Sequence, residues 1–228
     1  MILMKAKNRF ILSAFFGLLF VLLIILILFC DVAPIGPQGT EIGLSGLNKL
    51  ILDLFGVNYI WYEITDWLGF AALVTAFIFA FAGFVQMVKR KSLIKVDGEI
   101  LALGCLYIIV IGLYILFENA IVNYRPVIMP GCINPEASFP SSHTMLVCVI
   151  MGSAITLIGK YVKSKTLRVL LRIVCVVTVF ITVVGRLISG VHWFTDVVGG
   201  ILISTAMLEL FSGTVTLCKK TAKQRFHG

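Results

Sequence analysis

Residues 10–30 read FILSAFFGLLFVLLIILILFC, an unbroken run without a single charged side chain. At 1.5 Å of rise per residue, about 20 apolar residues cross a hydrocarbon layer roughly 30 Å thick, so this run is long enough to span a bilayer. Five more runs of similar character follow, at 67–88, 99–119, 142–159, 169–188 and 194–217. In lipid each backbone N–H and C=O must pair within its own segment, which makes these runs helices. The 228 residues are 60% hydrophobic and 13% charged, with mean hydropathy +1.06. Soluble domains average about 45–50% and about 25%, so a water-soluble domain is excluded. The expected architecture is an all-α integral membrane protein: six transmembrane helices in one bundle, forming a single domain over 1–228.

The first run has the basic start and apolar core of a signal peptide. Its length exceeds a usual signal core, and no small-residue cleavage site follows Cys30, so it reads as a retained anchor.

A net charge of +8 raises the question of nucleic acid. Sixteen of the 19 Lys and Arg fall in four clusters: 5–9, 89–95, 160–172 and 219–225. Six spans place all four on one side, and short basic loops stay in the cytoplasm. The charge therefore marks topology, with both termini cytoplasmic, in a membrane expected to be a bacterial plasma membrane. The partner expected from this pattern is the lipid bilayer, with no nucleic acid. Three cations remain on the other side: Lys49, Arg125 and Arg186.

The loop at 31–42 carries Pro34, Gly36, Pro37 and Gly39. Beyond it Leu44, Leu47, Ile51, Leu54 and Phe55 recur at helical spacing over a stretch too short and polar to span. This is an extracytoplasmic interfacial helix, either capping the bundle or forming a lid over a lipid entrance. Tyr59, Trp61, Tyr62 and Trp67 suit a headgroup boundary. The six cysteines make no metal pattern. Cys105, Cys148 and Cys175 are apolar packers, and Cys30 with Cys132 is the one pair open to a disulfide. His227 reads as solvated in the basic tail, and Glu209, inside the last span, as an inter-helix hydrogen-bonding group.

Three segments on the outer side carry chemistry: Asn123-Tyr124-Arg125-Pro126; Phe139-Pro140-Ser141-Ser142-His143; and Gly185-Arg186 followed by His192 and Asp196. Singly each has a structural reading: a snorkelling arginine, a capping histidine, an i,i+4 pair. Together, two arginines, two histidines and an aspartate stand at the ends of apolar helices, where ionisable groups are costly and usually functional. Guanidinium forks match the oxygens of a phosphate and its transition state. Ser141 and Ser142 open a helix whose free N–H groups favour an anion, and Ser141 adds a hydroxyl. Asp196, one turn after His192, can take its Nδ1–H and leave Nε2 as nucleophile. His143 then serves as acid for the departing oxygen and base for water. No residue set resembles a metal site, and no cofactor is expected.

At these residues the chain resembles the type 2 phosphatidic acid phosphatase superfamily, the lipid phosphate phosphatases. The family pattern is Lys-x6-Arg-Pro, Pro-Ser-Gly-His and Ser-Arg-x5-His-x3-Asp, and the match covers about 118–196. The resemblance implies phosphate contact by Arg125, Ser141 and Arg186, His143 as acid, His192 as nucleophile and Asp196 as its partner. Three positions depart: Glu118 for the lysine, Ser142 for the glycine and Gly185 for the serine. A carboxylate at 118 would repel a phosphate unless paired. Arg125 is the expected partner, with Lys49 supplying the missing charge, or else Glu118 meets an amine on the headgroup.

The function expected is hydrolysis of a lipid phosphomonoester or pyrophosphate (phosphatidate, phosphatidylglycerophosphate or polyprenyl pyrophosphate) at the extracytoplasmic face through a phosphohistidine. A headgroup phosphotransferase using the same histidine is the alternative. A non-catalytic lipid-binding or transport protein is a third class, favoured only by Glu118.

Overall fold

The computed structural model describes the backbone of residues 2–225 and the side chains of 3–218. His227, and the side chains of Lys219, Lys220, Lys223 and Arg225, lie outside the described residues. Seven α-helices follow in order: α1 (Ile2–Phe29), α2 (Ser45–Phe55), α3 (Tyr59–Arg90), α4 (Gly98–Asn119), α5 (Ser142–Tyr161), α6 (Lys165–Ile188) and α7 (Phe194–Arg225). All except α2 are long and apolar enough to cross a membrane. Among the described residues there is no strand, only two isolated β-bridges in loops.

Helix α5 is the hub, packed against α3, α4, α6 and α7. Some 61% of its apolar window is buried, against 11% for α1. Lipid tails are as apolar as leucine, so close packing rather than water exclusion holds such helices together. Met145, Val149 and Leu157 of α5 meet Leu103, Leu106 and Val110 of α4 and Phe211 and Val215 of α7 in the main core. Outward faces keep large apolar side chains exposed, such as Phe77 and Phe81 on α3 and Phe180 on α6. In water these would be a liability; around a bundle of this kind they meet lipid.

Helix α3 begins eight residues before the apolar run at 67–88. Asn58 caps it, its Oδ1 accepting the N–H groups of Ile60 and Trp61 at 3.1 and 3.3 Å. No breaker separates that cap from the span, so the aromatic stretch forms the first turns of α3. The short α2 lies against α7. Its buried Asn48 donates to Thr195 Oγ1 at 3.0 Å and accepts the Thr195 N–H at 3.2 Å. Glu209 pairs with Arg9 of α1 at 2.6 Å, the inter-helix role expected of it. Cys30 and Cys132 are both free; the Cys132 thiol donates to Glu136 at 3.3 Å.

At the end of the bundle far from α2, Lys160 of α5 bridges Asp97 at 3.0 Å and Glu99 at 2.8 Å, while Arg90 of α3 reaches Asp97 at 2.9 Å. These pairs, with the Tyr161 hydroxyl, hold the Asp97 carboxyl down at about 2 against the opposing effect of its partial burial.

Candidate active site

Helix α4 stops at Asn119, and the proline-rich stretch after it is held by its own backbone. Tyr124 and Ala137 form an antiparallel bridge, Arg125 N–H donates to Glu136 O at 2.9 Å, and Ser138 N–H donates to Asn123 O at 3.0 Å. The buried Trp193 indole donates to Tyr124 O at 2.6 Å, tying this loop to the start of α7. Arg125 is thereby turned inward, its side chain 15% exposed and 3.4 Å from the Glu136 carboxylate.

Helix α5 opens after a cis Phe139–Pro140 bond. Ser141 at its N-cap is fully buried. Its N–H donates to Asp196 O at 3.0 Å, and its hydroxyl accepts from Thr144 Oγ1 at 3.0 Å. Ser142 and His143 follow in the first turn, where N–H groups lack intrahelical acceptors.

Arg186 sits two residues from the end of α6 and is completely buried. Its guanidinium lies over the Tyr62 ring, 4.9 Å from the centroid, and is ion-paired to Asp66. The turn that follows is set by Gly190 at φ +63°, where a Cβ would come within 2.1 Å of Gly56 O. Only glycine lets the α6–α7 turn dock on the α2–α3 turn, which Asn58 N–H clamps by donating to Ser189 O at 2.9 Å.

His192 follows, 3% exposed. Its Nδ1 lies 3.6 Å from Asp196 Oδ2, an oxygen already anchored by the Trp193 N–H at 2.9 Å. Burial, then the Arg125 and Arg186 charges, push the His192 imidazolium pKa well below its ordinary value. The ring is therefore neutral, with a lone pair to offer.

Several buried polar atoms here have no protein partner: Arg125 Nη1, Arg186 Nε and Nη1, and His192 Nε2. Arg125 Nε belongs with them, because its approach to Glu136 lacks hydrogen-bond alignment. Buried donors are normally satisfied. A site with so many unpaired ones beside a neutral imidazole suits a multivalent anion.

Most of the residues singled out by sequence meet here. Glu118, Arg125, Ser142 and His192 line one cleft, and Ser142 and His143 line its neighbour. Two expectations are corrected. The carboxylate paired with Arg125 is Glu136, because the loop folds back on itself and brings 136 beside 125, whereas Glu118 stays exposed where it lines the cleft. Lys49 does not reach the phosphate donors: it is exposed on α2 and paired with Asp53 at 3.1 Å, because Asn48 takes the face of α2 toward α7. Sequence reasoning also missed Asp66, which touches both Arg186 and His143. Its signal was an acidic residue at the mouth of an apolar run.

The model of the PAP2 superfamily matches residues 100–217, from α4 to α7. That stretch holds every sequence-predicted site residue except Lys49; Asp66 and α3 lie outside it. Among solved structures the fold matches the crystal structure of a transmembrane PAP2-type phosphatidylglycerolphosphate phosphatase from Bacillus subtilis. The likeness covers 93% of this chain and 96% of that one, with TM-score 0.59 and 18% identity, and is one of fold. No curated protein matches the sequence.

Proposed function

The chain belongs to the PAP2 superfamily, and from that premise we propose that it hydrolyses a lipid phosphomonoester or pyrophosphate at the extracytoplasmic face through a phosphohistidine. The observation that carries this reading is the set of buried, unpartnered donors on Arg125 and Arg186 around the buried His192, whose Nε2 is likewise unpartnered.

A lipid substrate is supported by what adjoins the site. A cleft of about 440 Å³ leads from Asp66 and His143 between α3 and α4, lined by Phe70, Leu73, Val110, Ile111 and Leu146. Its apolar lining suits an acyl or prenyl chain, while the phosphate end meets the donors. The outer face is supported by charge: Arg90, Lys95 and Lys160 crowd the opposite end of the bundle, as cytoplasmic loops do.

In the proposed reaction the phosphate oxygens lie on Arg125, Arg186, the Ser141 hydroxyl and the N–H groups of Ser142 and His143. His192 Nε2 attacks phosphorus while Nδ1–H faces Asp196. The bond from phosphorus to the lipid oxygen breaks, and that oxygen leaves with its electron pair and the proton of His143. A water then attacks phosphorus, gives its proton to His143, and the P–N pair returns to His192 as inorganic phosphate forms. The arginines stabilise the charge that spreads over the equatorial oxygens. The proposal is metal-independent; among the described residues no group of three or more His, Cys, Asp or Glu side chains is placed to hold a metal ion.

Phosphate release in detergent from a panel of lipid phosphates, with and without EDTA, tests it. Wild type should release phosphate in EDTA, and His192→Ala and His143→Ala should lose about 10²-fold or more. Equal release by wild type and His192→Ala would end the phosphohistidine reading. Dependence on added divalent ion would end the metal-free one.

A further inference from the structure

Asp66 stands between the two groups that handle the phosphate and its leaving oxygen. One carboxylate oxygen, Oδ1, both pairs with Arg186 and lies 3.1 Å from His143 Nε2. It reaches them from α3, outside the stretch that carries the family pattern, because α3 packs directly on α5 and α6. Two glycines permit that approach. At Gly185, where the family pattern has serine, a Cβ would lie 2.6 Å from Thr65 Cγ2, beside Asp66 on α3. At Gly69, almost one turn after Asp66, a Cβ would lie 3.0 Å from the Cδ2 of the His143 ring. The imidazole therefore rests on the backbone of α3 with its Nε2 edge at the carboxylate.

We propose that Asp66 is the positioning residue of His143: it holds Nε2–H and so commits Nδ1 as the atom that protonates the leaving oxygen and later accepts the proton of water. This inference rests on the hydrolytic reading above. It gives the site two carboxylate–imidazole pairs, Asp196 with the nucleophile and Asp66 with the acid. A histidine held at one nitrogen has its tautomer fixed and its other nitrogen aimed, and a carboxylate there favours the imidazolium needed for donation.

The contact with Arg186 fits the same role. The carboxylate lies on Arg186 Nη2. A phosphate on Arg186 takes the unpartnered Nε and Nη1, while Asp66 holds Nη2 and the His143 edge. The imidazolium then stands between carboxylate and phosphate and screens their repulsion. Proton balance is unchanged: the proton leaves His143 with the lipid oxygen and returns from water.

A positioning role for the acid differs from a structural role in its dependence on the leaving group. A lipid alkoxide needs the proton, whereas p-nitrophenolate leaves without it. The test compares kcat/KM for a short-chain phosphatidate and for p-nitrophenyl phosphate in wild type, Asp66→Asn and Asp66→Glu, with His192→Ala and His143→Ala beside them. In Asp66→Asn the ratio of lipid to aryl kcat/KM should fall about tenfold or more, because general-acid assistance is typically worth about 10²–10⁴ and only its alignment is impaired. Asp66→Glu should show the same selective loss to a smaller degree, and it carries the test if Asp66→Asn does not purify as a monodisperse protein. A ratio unchanged from wild type, or an equal loss on both substrates, overturns the proposal. Were His192→Ala and His143→Ala as active as wild type, the hydrolytic reading itself would fall, a distinct outcome.

Discussion

Replacing Gly185 by alanine puts a methyl group where α3 touches α6. Its carbon would lie 2.6 Å from Thr65 Cγ2 and 3.1 Å from the Trp61 ring. Carbon atoms pack at about 3.5–4.0 Å, so the overlap with Thr65 is about 1 Å. Thr65 cannot swing away freely: it is fully buried and its hydroxyl donates to Trp61 O at 2.9 Å or Tyr62 O at 2.8 Å. Overpacking of this kind costs about 1–3 kcal/mol. Alanine's better helix propensity returns up to about 1 kcal/mol, leaving a net loss of about 0–2 kcal/mol for the single variant. The sharper quantity is a coupling. Thr65→Ser removes Cγ2 and keeps the hydroxyl, so it should relieve the clash in Gly185→Ala while adding little to wild type. A cycle of the four proteins, by thermal unfolding in detergent, should give a favourable coupling of about 1 kcal/mol or more, and helix propensity cancels from it. Lipid phosphatase activity should follow the same order, because pushing α3 off α6 loosens Asp66 from Arg186. Simple additivity of the two substitutions would refute the claim that glycine at 185 is what lets α3 close on the site.

Gly190→Ala should harm activity more than stability. Its left-handed φ costs alanine about 1–2 kcal/mol, yet the 2.1 Å clash with Gly56 O also parts the turn that spaces Arg186 from His192. A misplacement near 1 Å can lower kcat about 10²-fold, which steady-state kinetics on purified, folded variant would read. His192 has a depressed pKa when folded and about 6.5 when unfolded, so below that value the unfolded chain binds a proton that the folded one refuses. Stability conferred by the neutral ring is therefore full above about pH 6.5 and falls as pH drops, by up to about 1.4 kcal/mol per pH unit for one proton. His192→Asn should flatten the fall of the unfolding midpoint between pH 7 and 5; an unchanged slope would remove His192 as its source.

How far the sequence reached can be judged helix by helix. The runs at 99–119, 142–159 and 194–217 end within a turn of α4, α5 and the span portion of α7, because apolar length is what lipid selects. The shortfall of eight residues at the start of α3 has a physical cause. Hydropathy reports where lipid begins, whereas the helix begins at the Asn58 cap in the headgroup zone. Asp66 fell in that gap.

By itself the sequence determined that the chain is a six-span helical membrane protein, and the spacing of its motifs is what led us to propose one phosphate chemistry for Arg125, Ser141, His143, Arg186, His192 and Asp196. Apolar length and the fixed spacing of short motifs are local properties, legible along a single strand of text. Tertiary structure decided the pairings. Glu136 rather than Glu118 faces Arg125, Lys49 stays with Asp53, and Asp66 joins Arg186 to His143. Those depend on how a loop folds back and how closely two helices approach. Ångström distances across 77 or 120 positions of chain are fixed by packing and not by any local pattern.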